Sequence, residues 1–206
     1  THYRYRCTLG AHRGASKELR ENTVAALQAA DENSKYAFIE FDVQYSKDKR
    51  IVVYHDKRML RLYGNLRPIG DTTFVELAKI TSGEIAAYDE VVAALTKKLN
   101  IEIKSQGDNQ EDEGLVDEII ADLRARRRDN DVMISSISSE VVKYVNRKYP
   151  DIPTGQVFWL TSSTFLHIES LTKRLYEEID NVDVGYDKLY ADVAKKVRDS
   201  LIARGF

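Results

Sequence analysis

The chain has 206 residues, of which 43% are hydrophobic and 31% are charged, a composition typical of a globular protein with one core. Its formal net charge is -2, so its overall charge gives no reason to expect binding to nucleic acid or to anionic membranes. Cys7 is the only cysteine, which excludes an internal disulfide, and no apolar run approaches the roughly 18 residues of a membrane span. These features predict a soluble domain and leave its compartment, cytoplasmic or extracytoplasmic, open.

Short apolar runs that predict strands alternate with amphipathic stretches that predict helices along the whole chain. The predicted strands are residues 7–11, 37–43, 51–55, 99–104, 132–135, 154–160 and 182–185. A first helix is predicted to begin at Asn22 or Thr23, a second runs from a Thr73–Glu76 capping box to Ile80, and a third precedes residue 99. Four more are predicted from apolar stripes near residues 115–123, 141–145, 165–175 and 193–201. The basic run at residues 124–128 is interpreted as the solvent-facing end of a helix.

This repeated alternation predicts an α/β fold, with a parallel sheet and helices outside it. The number of strand–helix units favours a closed α/β barrel over an open doubly wound sheet. No glycine-rich dinucleotide or P-loop pattern supports a nucleotide-binding alternative.

Acidic residues lie inside two of the predicted strands, where an uncompensated charge is costly. Glu40 and Asp42 share one face of the strand FIEFDV, and Glu102 and Lys104 share one face of LNIEIK. A single acid in a strand is usually solvated or paired with a base, but three converging carboxylates would repel one another unless a cation lies between them. Oxygen ligands of this kind suit Mg²⁺, Ca²⁺ or Mn²⁺, and we expect one divalent cation, Mg²⁺ or Ca²⁺.

Two histidines each end a predicted strand. His12 is followed by Arg13, whose fork suits phosphate oxygens, and by Gly14, which permits close backbone approach. Histidines at strand ends are often structural, yet a pair at one face would serve as acid and base for opening an ester. Residues 44–50 predict either a hairpin or an extended return between parallel strands, and both would bring His55 beside Asp42.

Five segments, taken together in this order and spacing, resemble the glycerophosphodiester phosphodiesterase family: AHRG at 11–14, ENT at 21–23, FIEFDV at 38–43, VVYHD at 52–56 and LNIEIK at 99–104. The resemblance implies one TIM-type (β/α)8 barrel domain over residues 1–206. It also implies a small insertion after the third strand, at about residues 57–85, and an eighth strand that the chain does not reach. We therefore expect the barrel to be completed by further sequence or by another segment, or to be open and inactive.

The family resemblance implies divalent-metal-dependent hydrolysis of a small glycerophosphodiester to glycerol 3-phosphate and an alcohol. It assigns roles to eight residues: metal ligands Glu40, Asp42 and Glu102; acid/base pair His12 and His55; phosphate contacts Arg13 and Lys104; and a supporting Glu21. Trp159 is predicted either to line the alcohol pocket or to belong to the core. Two alternatives are a lysophospholipid-cleaving, phospholipase D-like enzyme of the same superfamily and a barrel that only binds a phosphate ligand. The oligomeric state is left open.

Overall fold

The structure, a computed structural model, describes residues 8–157. Seven strands lie in this range: β1 Gly10–His12, β2 Phe38–Tyr45, β3 Ile51–Val53, β4 Ala86–Ala87, β5 Lys98–Ile103, β6 Val132–Ser136 and β7 Thr154–Gln156. Six of them were predicted, and β4 was not. The predicted strand at 182–185 and the helices near 165–175 and 193–201 lie outside the described residues, as does the end of the strand predicted for 154–160.

Six α-helices connect these strands: α1 Val24–Glu32, α2 Leu60–Tyr63, α3 Phe74–Ile80, α4 Tyr88–Ala94, α5 Asn109–Ala125 and α6 Ser139–Lys148. Short 3-10 turns at Ile69–Asp71 and Asp129–Asp131 complete the helical segments of this range. Thr23 caps α1, and Thr73 and Glu76 form a reciprocal capping box at α3, so both predicted helix starts are confirmed. Among the described helices, none is both long and apolar enough to cross a membrane.

The strands form one mainly parallel sheet in the order β4-β3-β2-β5-β6-β7, with β1 also paired to β2. β1, β2, β5, β6 and β7 are parallel neighbours, whereas β3 runs antiparallel to both β2 and β4. Within residues 8–157 the sheet is not closed. Of the two predicted connections after β2, the structure therefore contains the hairpin.

The hairpin places β3 on the same edge of β2 as β1. β5 pairs with Phe38 to Val43 along one edge, so β1, opposite residues 38–40, and β3, opposite residues 43–45, share the other edge. Because β1 is parallel and β3 antiparallel to β2, their carboxyl ends point toward each other along that edge. The chain segments that carry His12 and His55 therefore converge beside the middle of β2.

Two apolar clusters hold this arrangement. The larger lies between the sheet and helices α1, α4, α5 and α6, and includes the fully buried Phe41, Ile101 and Ile119. The smaller cluster lies under residues 57–85 and contains Val52, Met59, Ile69, Leu77 and Ile85 among its members. The segment after β3 thus packs through a core of its own, which anchors it against the outer part of the hairpin.

The basic run after α5 is only partly as predicted. α5 ends at Ala125, and Arg124 forms a surface ion pair with Asp151. Arg128, however, is half-buried and its guanidinium donates to the carbonyl oxygens of Val92 at 3.3 Å, and of Leu95 and Lys97 at 2.5 Å each. Arg128 thus provides hydrogen-bond donors for carbonyl oxygens between the last turn of α4 and the start of β5. Without it, these oxygens would need water molecules as donors.

Replacing Arg128 by Ala is expected to lower the free energy of unfolding by about 2 kcal/mol, because three carbonyls lose a charged donor. Urea unfolding measures this change. Arg124→Ala, which removes only surface contacts with Asp151 and with the ring of Tyr149, is the control and should have the smaller effect. Equal effects of the two substitutions would contradict the role given to Arg128.

Candidate active site

The predicted site residues meet at the middle of β2. His12 ends β1 and lies opposite Glu40 in the strand register, and Tyr54, which precedes His55, donates its backbone N–H to the carbonyl oxygen of Asp42 at 3.0 Å. On the other edge, Glu102 of β5 lies directly opposite Asp42. Three chain segments therefore deliver side chains to the same region of β2.

Glu40, Asp42 and Glu102 form a buried carboxylate cluster. One oxygen from each lies within 4.8 Å of the other two, and the three residues are 7%, 0% and 7% exposed. Within the described range this is the only group of three or more such residues placed to hold a metal ion. The face predicted from strand alternation is thus the face on which the carboxylates converge.

Asp42 is held by three neighbours. Asn22 Nδ2 donates to Oδ2 at 2.8 Å, Arg13 Nε lies 3.3 Å from the same oxygen, and Lys104 Nζ lies 2.9 Å from Oδ1. The two contacts with the cations are ion pairs without good hydrogen-bond angles, so Asp42 Oδ1 and Arg13 Nε have no true hydrogen-bond partner.

Asn22 is a residue whose position at the site the sequence did not reveal. It is 2% exposed and has a φ angle of 60°, a left-handed conformation that Asn tolerates better than most residues. Its side chain donates to Asp42, and its backbone N–H donates to the carbonyl oxygen of Arg13 at 3.1 Å. The ENT segment could have indicated this, since an Asn before a Thr cap has no role inside the helix.

The cluster fits a divalent cation by its donors and by its unmet bonding capacity. Lys104 neutralises two of the carboxylates, since its Nζ also lies 2.5 Å from Glu102 Oε1. Glu40 instead accepts a single hydrogen bond from the backbone N–H of Arg13 at 2.9 Å on Oε2, while its Oε1 is buried without a partner. A buried carboxylate oxygen without a donor is costly, and a hard cation would satisfy it.

The electrostatics of Glu40 agree with this reading. Burial, followed by repulsion from Asp42, raises the pKa of Glu40 to about 8. A carboxyl in this condition keeps its proton at neutral pH unless a cation replaces it. At neutral pH, Glu40 is therefore expected either to carry a proton or to bind a cation.

The two histidines differ in their surroundings. The His12 side chain is 67% exposed and its Nε2 lies 3.9 Å from Glu40 Oε2. Partial burial, followed by the charge of Arg13, lowers the pKa of His12, and His55 is close enough to contribute in the same direction. His55 is more enclosed, and its Nδ1 lies 2.6 Å from Asp56 Oδ1, which fixes the ring and leaves Nε2 for proton transfer.

Arg13 faces two carboxylates rather than open solvent. Besides Asp42, it contacts Glu21, to which its Nη1 donates at 2.9 Å. Burial alone would raise the pKa of Glu21, but hydrogen bonds from Arg61 and the charge of Arg13 lower it. Glu21 is thus a charged partner of Arg13 at the site.

Gly14 serves α1 rather than a ligand. Its φ is 81°, and a Cβ atom at this position would lie 2.6 Å from the carbonyl carbon and oxygen of Ala26. The close backbone approach predicted for Gly14 therefore occurs against the first turn of the helix. It allows the loop to turn Arg13 back over β2.

The serines of β6 make structural hydrogen bonds. Ser135 Oγ donates to Asn100 Oδ1 at 2.8 Å and Ser136 Oγ donates to the carbonyl oxygen of Ile103 at 2.7 Å. Trp159, the predicted pocket or core residue, lies outside the described residues.

The comparisons with known proteins agree with the arrangement. A model of the glycerophosphoryl diester phosphodiesterase family matches residues 12–202. A glycerophosphodiester phosphodiesterase of Bacillus subtilis is 26% identical over 199 residues, covering 85% of this chain and 66% of that protein. A human lysophospholipase D is 28% identical over 186 residues, covering 79% of this chain and 56% of that protein.

The crystal structure of a glycerophosphodiester phosphodiesterase from Thermotoga maritima matches with a TM-score of 0.63 and 28% identity, over 84% of this chain and 71% of that one. The chain thus spans 66% and 56% of the lengths of the two curated relatives named above. The strand–helix order and this match confirm the predicted TIM-type α/β barrel class. Since the family model extends over most of its length, the chain belongs to the glycerophosphoryl diester phosphodiesterase family.

Proposed function

We propose that the protein hydrolyses glycerophosphodiesters to glycerol 3-phosphate and an alcohol, in a reaction that depends on one divalent cation. The observation that carries the proposal is the convergence of three buried carboxylates, with their oxygens within 4.8 Å of one another, at the strand position where two histidine-bearing segments meet. Membership of the family and the similarity to phosphodiesterases support the same reaction class. The proposal treats residues 1–206 as one barrel domain in which about residues 57–85 are inserted.

Glu40, Asp42 and Glu102 would hold the cation, and their oxygen-only donor set suits Mg²⁺ or Ca²⁺. When bound, the cation would act as a Lewis acid toward the phosphoryl oxygens. Lys104 now lies between Asp42 and Glu102, and in the working site it would turn its ammonium toward the phosphate.

Arg13 and Lys104 would bind the phosphoryl group of the substrate. A phosphodiester carries a negative charge that repels an attacking oxygen, and further negative charge develops on its non-bridging oxygens as that oxygen adds to phosphorus. Fixed cations that face those oxygens stabilise the transition state more than the ground state. Glu21 supports this role by holding Arg13 through its Nη1 atom at 2.9 Å.

His12 would act as the base and His55 as the acid. His12 would take the proton from the attacking hydroxyl of water or of the glycerol moiety as the new oxygen–phosphorus bond forms; in the second case water would then open the resulting cyclic phosphate to give glycerol 3-phosphate. His55 would give a proton to the alcohol oxygen as its bond to phosphorus breaks. The lowered pKa of His12 keeps it available as a base near neutral pH, and the Asp56 contact keeps the ring of His55 oriented.

A second candidate is cleavage of lysophospholipids in a phospholipase D-like reaction. The similarity to a human lysophospholipase D favours it, since the same phosphodiester chemistry would act on a substrate with an acyl chain. Both candidates require the same buried carboxylates, and they differ in whether the substrate carries an acyl chain.

The purified protein is expected to release glycerol 3-phosphate from glycerophosphocholine, measured by a coupled enzymatic assay. EDTA should abolish turnover and added Mg²⁺ or Ca²⁺ should restore it. His12→Ala and His55→Ala should each lower kcat by about 100-fold or more, because each removes one proton-transfer group.

Arg124→Ala, remote on α5, is the matched surface control and should retain full activity. Faster turnover of lysophosphatidylcholine than of glycerophosphocholine would favour the second candidate. Phosphate binding without turnover of either substrate would identify a binding protein instead, and full activity in both histidine variants would refute the proton-transfer assignment.

A further inference from the structure

Arg61, in the segment after β3, contacts two carboxylates on either side of the site. Its Nε donates to Asp56 Oδ2 at 2.7 Å, while Nη1 and Nη2 donate to Glu21 Oε2 and Oε1 at 3.0 and 2.5 Å. All three guanidinium nitrogens are thus engaged with acceptors that come from separate chain segments. Such a bidentate fork contact has a defined geometry that a single ammonium cannot reproduce.

The first carboxylate, that of Asp56, also contacts His55 of the proposed acid/base pair. Asp56 uses Oδ2 for Arg61 and Oδ1 for His55 Nδ1, at 2.7 and 2.6 Å. The two bonds occupy opposite oxygens of one carboxylate, so its rotation is fixed from both sides. Loss of the Arg61 contact would free Asp56 to turn away from the imidazole.

The second carboxylate, that of Glu21, also contacts Arg13, the proposed phosphate-binding residue. Glu21 Oε1 accepts from Arg61 and also from Arg13 Nη1, at 2.5 and 2.9 Å. Glu21 therefore lies between two guanidinium groups, one from the inserted segment and one from the loop after β1. With Arg61 present, Glu21 is held in place and Arg13 is held with it.

We propose that Arg61 is a positioning residue that fixes His55, through Asp56, and Arg13, through Glu21, at the same time. The inserted segment thereby couples the orientation of the proposed acid to that of the proposed phosphate contact. This inference rests on the proposed function for the roles of His55 and Arg13, and on the bonds described above for the coupling itself.

The charges around these carboxylates agree with the contacts. Burial by itself would raise the pKa of Asp56, but its hydrogen bonds with Arg61 and His55 lower it. The pKa of Glu21 is lowered against its burial in the same way, with Arg61 as the leading opposing cause. Both carboxylates therefore depend on Arg61 for part of the stabilisation of their charged form.

Kinetics of Arg61→Gln and Arg61→Lys test the proposal against a matched control. Arg61→Gln is expected to lower kcat and raise KM, with kcat/KM reduced by about 10- to 100-fold, the range usual for residues that orient active-site groups. Arg61→Lys keeps the charge but can serve only one carboxylate well, so most of that loss should remain. Arg67→Ala, an exposed arginine of the same segment that lies 3.5 Å from Glu76, should change kcat/KM by less than about twofold.

A carbon-13 NMR titration of the Asp56 and Glu21 carboxyls gives a readout that does not need turnover. Both carboxyls are expected to titrate at higher pH in Arg61→Gln than in the unsubstituted protein, and neither should change in Arg67→Ala. A shift in one carboxyl alone would overturn the double role of Arg61. A shift in neither would overturn the coupling altogether.

The two measurements separate failure of this inference from failure of the proposed function. If the unsubstituted protein turns over neither substrate, the function is refuted, while the carboxyl titrations still decide whether Arg61 holds both groups. If turnover occurs and Arg61→Lys restores it fully, charge alone suffices and the positioning role is refuted.

Discussion

Asp42→Asn is expected to remove divalent-cation binding and to lower the turnover of glycerophosphocholine by about 1,000-fold or more. Asp42 is fully buried and is the only one of the three carboxylates that contacts both Arg13 and Lys104. The substitution keeps the shape of the side chain, so Asn22 can still pair with it, but it removes the charge that attracts a cation. Both the cation and the alignment of the two basic side chains should therefore be lost.

Isothermal titration with Mg²⁺ and Ca²⁺ measures the binding, and the coupled assay measures turnover. Asp31→Asn makes the same chemical change at the end of α1, where the carboxylate accepts from the backbone of Thr96 and Lys97. This control should bind cations and turn over substrate normally. Unchanged cation affinity in Asp42→Asn would show that the ion binds elsewhere.

The cation-free protein is expected to lose stability as the pH rises from about 4.5 to about 8, because of Glu40. Its pKa is raised from 4.5 to about 8 by burial and by Asp42, so in this interval the folded protein keeps a proton that the unfolded chain releases. The unfolded state binds fewer protons, and the free energy of unfolding therefore falls with rising pH. The contribution is on the order of 5 kcal/mol.

Urea unfolding in EDTA at several pH values measures this trend, and Glu40→Gln should flatten it between those limits. Glu140→Gln, a change at an exposed carboxylate on α6, should leave it intact. Saturating Mg²⁺ or Ca²⁺ should abolish the decline, because the cation takes the place of the proton on Glu40. A pH dependence that is identical in the two Gln variants would refute the assignment.

The strand pattern was sufficient to predict the carboxylate cluster. Glu40 and Asp42 share a face because side chains alternate along a strand, and Glu102 joins them because parallel strands place their carboxyl ends at one edge. The capping box at Thr73 was equally predictable, since its two bonds lie within one helical turn. Local periodicity thus predicted six of the seven described strands and the carboxylate cluster, while the roles of the other site residues came from the family resemblance.

Features that depend on contacts distant in sequence were not predictable. The sequence left the direction of β3 open, because both a hairpin and a parallel return satisfy the same apolar pattern. It also gave no sign that Asn22 bonds Asp42 or that Arg61 reaches Glu21, 40 residues earlier. Side-chain hydrogen bonds between segments that are distant in sequence leave no periodic pattern in it. They can be seen only in the folded structure.

The antiparallel return of β3 has a consequence for how the protein can vary in length. Ser46 and Arg50 close the turn between β2 and β3 through a backbone hydrogen bond of 2.9 Å, and this turn sets the register in which Tyr54, the residue before His55, pairs with Asp42. Adding or deleting one residue there would reverse the inward and outward sides of β3 and so change the position from which the chain presents His55 to the site. Insertions and deletions should therefore be excluded from this turn.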